Sequence, residues 1–162
     1  MLFRSEEYLT RRAEPPVMVL VAEAWSRLGE YEKAEKAVAG ANTISGLWMR
    51  GKLLARRGQR EQSDALFEEV SARGGVNAQL GVQDQLAVAD ALTELARYQD
   101  ANAQFQRIEK AFPENATVKA RWGALMAAKN NPSTAGQLFS EALALNPNHP
   151  EAQVGMAAQI AD

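Results

Sequence analysis

The chain has 162 residues, 46% of them apolar and 23% charged, the balance of an ordinary globular domain. Its 18 Lys and Arg against 20 Asp and Glu leave a net charge of -2, which argues against a sequence-independent grip on nucleic acid. With no cysteine and a single histidine, His149, disulfide staples, thiolate zinc sites, a cysteine nucleophile and multi-histidine metal centres are excluded.

Residues 1–14 are expected to form a partial, poorly ordered segment. Leu2-Phe3-Arg4-Ser5 is what the end of a common sequencing adapter encodes, so residues 1–5 read as non-native and the natural chain as starting further upstream. Residues 5–13 read as a short helical stretch. Localisation stays open on this reading. The apolar run Val17–Ala22 is six residues long, against about 20 for a membrane helix, so no membrane insertion is expected. Glu14-Pro15-Pro16 separate Arg11-Arg12 from that run and argue against a secretion signal.

From there on, apolar residues recur at three- and four-residue steps, which predicts helices over 16–28, 31–41, 44–57, 60–73, 79–96, 98–112, 115–129, 132–145 and 150–161. Turn signals separate them: Gly29-Glu30, Gly58-Gln59 and Asn130-Asn131-Pro132. Gly74-Gly75 reads as the stop of the fourth helix. Asn131 is placed to cap the helix that Pro132 opens, while Pro113 and Pro147 fall just past helix ends.

The helices repeat in pairs. Ala101, Phe105 and Pro113 recur as Ala135, Phe139 and Pro147, all at an offset of 34 residues; two upstream copies follow at offsets of 29 and 38. The altered spacing falls around 42–45 and 74–81, where helices join and length changes cost least. One column of small residues runs Ala22, Gly51, Ala89, Gly123, Ala157 on the first helices. A second runs Ala34, Ser63, Ala101, Ala135 on the second helices. Both are expected contact points, because helices approach closely only over small side chains. A third column, Val38, Phe67, Phe105, Phe139, supplies bulk where one unit meets the next.

This succession of small, bulky, small, aromatic and Pro positions at a period of 34 resembles the tetratricopeptide repeat (TPR). The resemblance covers 15–162, as repeats 15–43, 44–81, 82–115 and 116–149 and a capping or truncated helix at 150–162. The third and fourth repeats match closely. The second departs at Arg60 and Ser63, the first at Met18. The resemblance implies an all-α, right-handed superhelical α-solenoid of about four helix hairpins plus a terminal helix. It also implies a protein–protein interaction scaffold without cofactor or metal. Such a scaffold is not an enzyme and takes a protein or peptide in a concave groove lined by the first helices, with self-association through exposed solenoid ends. The alternative is a recruiting or regulatory TPR segment of a larger bacterial enzyme or secretion or export assembly, where similar arrays occur. The last helix carries few charges, which fits a chain cut from a longer protein better than a polar terminal cap.

In this register the groove is expected to be lined by Val19, Glu23 and Arg27; Trp48, Lys52 and Arg56; Leu86, Asp90 and Glu94; and Ala120, Ala124 and Ala127. Candidate partner-binding residues are Trp48, Lys52, Arg56, Arg27, Glu23, Leu86, Asp90 and Glu94. Trp48 beside Lys52 and Arg56 suits an apolar anchor next to an acidic group, and Asp90 with Glu94 suits a basic one. Trp48 fits a core position equally well. The Lys and Asn with which one TPR subfamily grips a C-terminal carboxylate are replaced here by Val19 and Glu23, so that clamp is absent. His149, in a turn beside two prolines, reads as solvent-exposed. Glu6-Glu7 and Glu68-Glu69 point about 100° apart on a helix and read as solvated faces rather than acid–base pairs. Gly74, Gly75 and Gly81 lack the Lys-Ser/Thr of a phosphate loop.

Overall fold

The structure, a computed structural model, describes residues 14–76 and 79–161. Nine helices follow one another among them: α1 (Pro15–Arg27), α2 (Tyr31–Val38), α3 (Ile44–Arg56), α4 (Arg60–Val76), α5 (Val82–Glu94), α6 (Tyr98–Ala111), α7 (Ala116–Ala128), α8 (Pro132–Leu145) and α9 (Pro150–Ala161). Each expected helix from 16 onward is found, with ends within three residues of those read from the pattern. The expected helical stretch at 5–13 and the reading of residues 1–5 lie outside the described residues. The chain divides at Leu95/Ala96 into two compact units. The expected repeat 82–115 straddles that division, with α5 in the first unit and α6 in the second.

In the first unit α1 pairs with α2 and α3 with α4, and α5 packs on α4. The first helices also touch one another, α1 against α3 and α3 against α5. The small columns do what their size suggests. Ala22, Ala34, Ser63 and Ala89 are fully buried. A Cβ on Gly51 would stand 2.7 Å from Cε1 of Phe67, so glycine lets α3 and α4 close over the aromatic ring.

In the second unit α6 packs on α7, α7 pairs with α8, and α9 covers α8 and α7. Phe139 of α8 is the centre of this core, with Ala120, Ala135, Ala142 and Ala152 around it. A Cβ on Gly123 would come within 2.8 Å of the Phe139 ring, and one on Gly155 would clash with the same ring from the α9 side. The aromatic column therefore fills both the interior of a hairpin and its junction with the next helix. Truncating such a buried Phe costs about 3–5 kcal/mol.

The turn inside each hairpin is built alike. Gly29, Gly58 and Asn130 adopt positive φ of 80°, 75° and 55°. The following N–H groups of Glu30, Gln59 and Asn131 reach back to the carbonyls of Trp25, Leu54 and Met126 at 2.9–3.0 Å, closing the helix in a Schellman turn. Ala96, after α5, occupies the same register with φ 58°, where a Cβ is strained and glycine is not.

Helix starts are capped as the sequence suggests at Asn131, whose Oδ1 accepts from the Thr134 N–H at 3.2 Å, with Pro132 at the first helical position. Thr43 Oγ1 accepts from the Gly46 N–H at 3.1 Å, and Asn115 Oδ1 from those of Thr117 and Val118.

Three expectations are corrected. Gly74-Gly75 does not stop α4, which runs on to Val76; Gly74 lies where α4 meets Val88 of α5, and a Cβ there would collide with that side chain. His149 is buried, not solvent-exposed: its Nδ1 accepts from the Ala152 N–H at 3.4 Å and its Nε2 lies 3.1 Å from Thr117 Oγ1. It caps α9, so Nδ1 is the unprotonated nitrogen and Nε2–H donates to the threonine. Ala157 is exposed, because no second helix follows α9 among the described residues.

Candidate functional site

The expected groove residues of the first unit lie on α1, α3 and α5, which run side by side. The repeat offsets set them in three rows across these helices. One row is Val19, Trp48 and Leu86; the next is Glu23, Lys52 and Asp90; the third is Arg27, Arg56 and Glu94.

The first row does not line a groove. Leu86 is fully buried and Trp48 is 5% exposed, while Val19 is half-buried. In the second unit Ala120, of the same row, is fully buried too, inside the Phe139 cluster. The physical reason is the helical step. This row stands three residues before the small column of Ala22, Gly51, Ala89 and Gly123, so both share the inward face. Leu86 and Trp48 are therefore core residues and not partner contacts. Of the two readings left open for Trp48, the packed one holds.

The second and third rows are accessible. Arg27, Arg56 and Glu94 are exposed; Glu23, Lys52 and Asp90 are half-buried. Lys52 lies with Nζ 4.7 Å from the centroid of the Trp48 ring, a cation–π contact that covers the buried indole and leaves the ammonium at the surface. Arg56 spans from α3 to the end of α1. Its Nη1 donates to the Ser26 carbonyl at 3.5 Å and to Tyr31 Oη at 3.3 Å, and the guanidinium sits 5.5 Å from the Tyr31 ring centroid. Glu94 ends α5, where its carbonyl accepts from Arg60 Nη2 at 3.0 Å. Charge changes sign along both rows: Glu23, Lys52, Asp90 in one and Arg27, Arg56, Glu94 in the other.

Two residues around this face escaped the sequence reading. Tyr31, 40% exposed, joins Arg56 at its edge; nothing but position in the hairpin signals it. Asp84 of α5 accepts from the Ser45 N–H at 2.9 Å, so the N-terminus of α3 is capped from the neighbouring repeat as well as by Thr43. An acid in the first turn of α5 looks like a dipole partner of its own helix, and its aim at α3 is visible only in three dimensions.

In the second unit Ala124 is exposed and Ala127 half-buried. There the strongest electrostatic feature lies elsewhere. Lys119 Nζ donates to Glu141 Oε2 at 2.8 Å and to Glu109 Oε1 at 3.3 Å, tying α7 to α8 and α6. Burial disfavours the charge on Lys119, but the hydrogen bonds to Glu141 and Glu109 outweigh it and hold the ammonium above its ordinary range. The bond from Lys119, helped by one from Gln137, holds the Glu141 carboxyl below the ordinary glutamate range against the effect of burial. The described residues hold no group of three or more His, Asp or Glu that could bind a metal ion, and no described helix is long and apolar enough to cross a membrane.

No family model and no curated protein matches the chain in sequence. Solved structures match it in shape. A thermophilic TPR protein of Thermus thermophilus superposes with a TM-score of 0.68 at 16% identity, over 91% of this chain and 82% of that one. The fold is that of the tetratricopeptide-repeat proteins. PilF of Pseudomonas aeruginosa is similar with a TM-score of 0.58 at 18% identity, over 91% of this chain and 68% of PilF. A chain of the APC/C Cut9–Hcn1 hetero-tetramer matches 97% of this chain with a TM-score of 0.63 at 14% identity, while this chain spans 32% of it. At such identities the TPR likeness is one of fold, carried by small and aromatic columns that tolerate wide change elsewhere.

Proposed function

We propose that this chain is a non-catalytic protein-interaction scaffold. Its TPR repeats run 15–43, 44–81, 82–115 and 116–149, and the first unit receives an extended peptide or partner segment across α1, α3 and α5. The observation that carries the reading is the pair of accessible charged rows on three adjacent first helices, Glu23, Lys52 and Asp90 in one and Arg27, Arg56 and Glu94 in the other. An acidic group of the partner sits near Arg27 and Arg56, and a basic group one repeat later against Asp90 and Glu94. That one of the similar folds is part of the Cut9–Hcn1 hetero-tetramer is in keeping with a role in assembly.

The test is a peptide array probed with the wild-type chain and with an Arg27→Ala/Lys52→Ala/Arg56→Ala variant, circular dichroism establishing that both are folded. The proposal expects a set of peptides with mixed charge to bind the wild type and to be lost with the variant. An unchanged binding pattern in the folded variant would refute it.

A further inference from the structure

Arg56 is exposed at the end of α3, yet its guanidinium is held in place from the first hairpin. Nη1 donates to the Ser26 carbonyl at 3.5 Å and to Tyr31 Oη at 3.3 Å. Ser26 is buried near the end of α1, and Tyr31 opens α2. The Tyr31 ring centroid lies 5.5 Å from the guanidinium carbon and supports the charge by a cation–π contact. Ordering a long side chain on binding costs entropy; in Arg56 that order is already present in the free chain.

Both bonds use the same nitrogen. A guanidinium carries five N–H donors in one rigid plane, and Nη1 stands on its Cδ side. The opposite edge, Nε–H with one N–H of Nη2, has no partner among the described residues. Two parallel donors of this kind match the two oxygens of a carboxylate. A phosphate dianion brings three strong acceptor oxygens and suits a cluster of arginines. Here the next arginine, Arg57, is turned to Glu35 of α2, its Nε 2.8 Å from Oε1, and Nη1 of Arg56 is committed. We propose that Arg56 is the specificity-determining residue of the charged face, taking an Asp or Glu side chain of the partner bidentately on Nε and Nη2, and that Tyr31 is its positioning residue. The assignment rests on the scaffold role proposed for α1, α3 and α5, and gives the acidic group of the partner a chemical class.

The probe is an array of C-terminally amidated peptides of mixed charge, each made with Glu, phosphoserine or Gln at its acidic position. Binders are titrated by fluorescence anisotropy into the full chain and into Arg56→Lys, Tyr31→Leu, Tyr31→Phe and the Arg56→Lys/Tyr31→Leu double variant, with circular dichroism establishing that each is folded. Glu peptides should bind the wild type more tightly than their Gln and phosphoserine counterparts. Arg56→Lys keeps the charge but loses the fork, and should weaken them by about tenfold. Tyr31→Leu should weaken them by about fivefold in the wild-type background and leave the Arg56→Lys chain unchanged, a coupling that a general loss of stability does not produce. Tyr31→Phe keeps the ring and should recover part of the affinity. Equal binding by wild type and Arg56→Lys, or a preference for phosphoserine, overturns the carboxylate assignment and leaves the scaffold role standing. Equal losses from Tyr31→Leu in both backgrounds overturn the positioning role. An array on which nothing binds the wild type removes the scaffold role and the assignment together.

Discussion

Gly74 on α4 meets Val88 on α5 so closely that a Cβ on Gly74 would stand 2.9 Å from Cγ1 of Val88 and nearer still to Cγ2. The next residue, Gly75, faces open space. Two adjacent helical glycines thus have opposite expectations. Gly74→Ala should destabilise by about 1–3 kcal/mol through overpacking, more than the gain of about 1 kcal/mol in helix propensity. Gly75→Ala should keep only that gain. Urea denaturation of both variants, followed by circular dichroism, reads the difference. If both stabilise, the close approach of α4 and α5 is wrong.

Ser63 is the one hydroxyl in a column otherwise filled by Ala34, Ala101 and Ala135. It is fully buried, and its Oγ has no hydrogen-bond partner among the described residues. Removing an unsatisfied buried hydroxyl relieves its desolvation cost. Ser63→Ala should stabilise by about 1 kcal/mol, seen as a rise in denaturation midpoint at an unchanged slope.

Ala96 holds φ 58° where the equivalent turns use Gly29, Gly58 and Asn130. Strain at such a position is of order 1 kcal/mol or more, so Ala96→Gly should stabilise by about 1 kcal/mol despite the freer unfolded chain. Thermal denaturation checks the sign.

The Lys119 cluster makes stability depend on pH in a fixed direction. Glu141 titrates lower in the folded chain than its ordinary value of 4.5, so its contribution is present above that value and is lost as the pH falls through the folded one. Lys119 titrates above its ordinary 10.5, so its contribution is complete below that value and is lost as the pH rises through the folded one. Melting temperatures from pH 7 downward should fall more steeply for the wild type than for Glu141→Gln. Parallel curves would remove the cluster from the account.

Much of this was legible in the sequence because close packing needs small and aromatic residues at fixed spacing. The Ala22 column as far as Gly123, the Ala34 column and the Phe67–Phe105–Phe139 series are buried as read, and most helix ends follow the turn residues. The candidate site was legible in part. Its charged members are accessible, but Leu86 and Trp48 were assigned to the groove by helix position alone, and the inward face takes in their row as well. Gly74 reads in sequence as a helix stop because a glycine pair looks alike whether it ends a helix or admits a neighbour. The capping role of His149 was within reach: Pro150 at the start of α9 leaves the residue before it as the cap. Asp84 was not, since its bond to Ser45 joins residues 39 apart.

The most direct test of the central claim is a charge swap measured by isothermal titration. A peptide selected by the wild-type chain is titrated into the Arg56→Glu variant, first as selected and then with its acidic residues replaced by lysine. Binding should fall by about tenfold or more with the first peptide and be regained with the second. Equal affinity of the original peptide for wild type and variant would contradict a partner-binding role for the charged face of α1, α3 and α5.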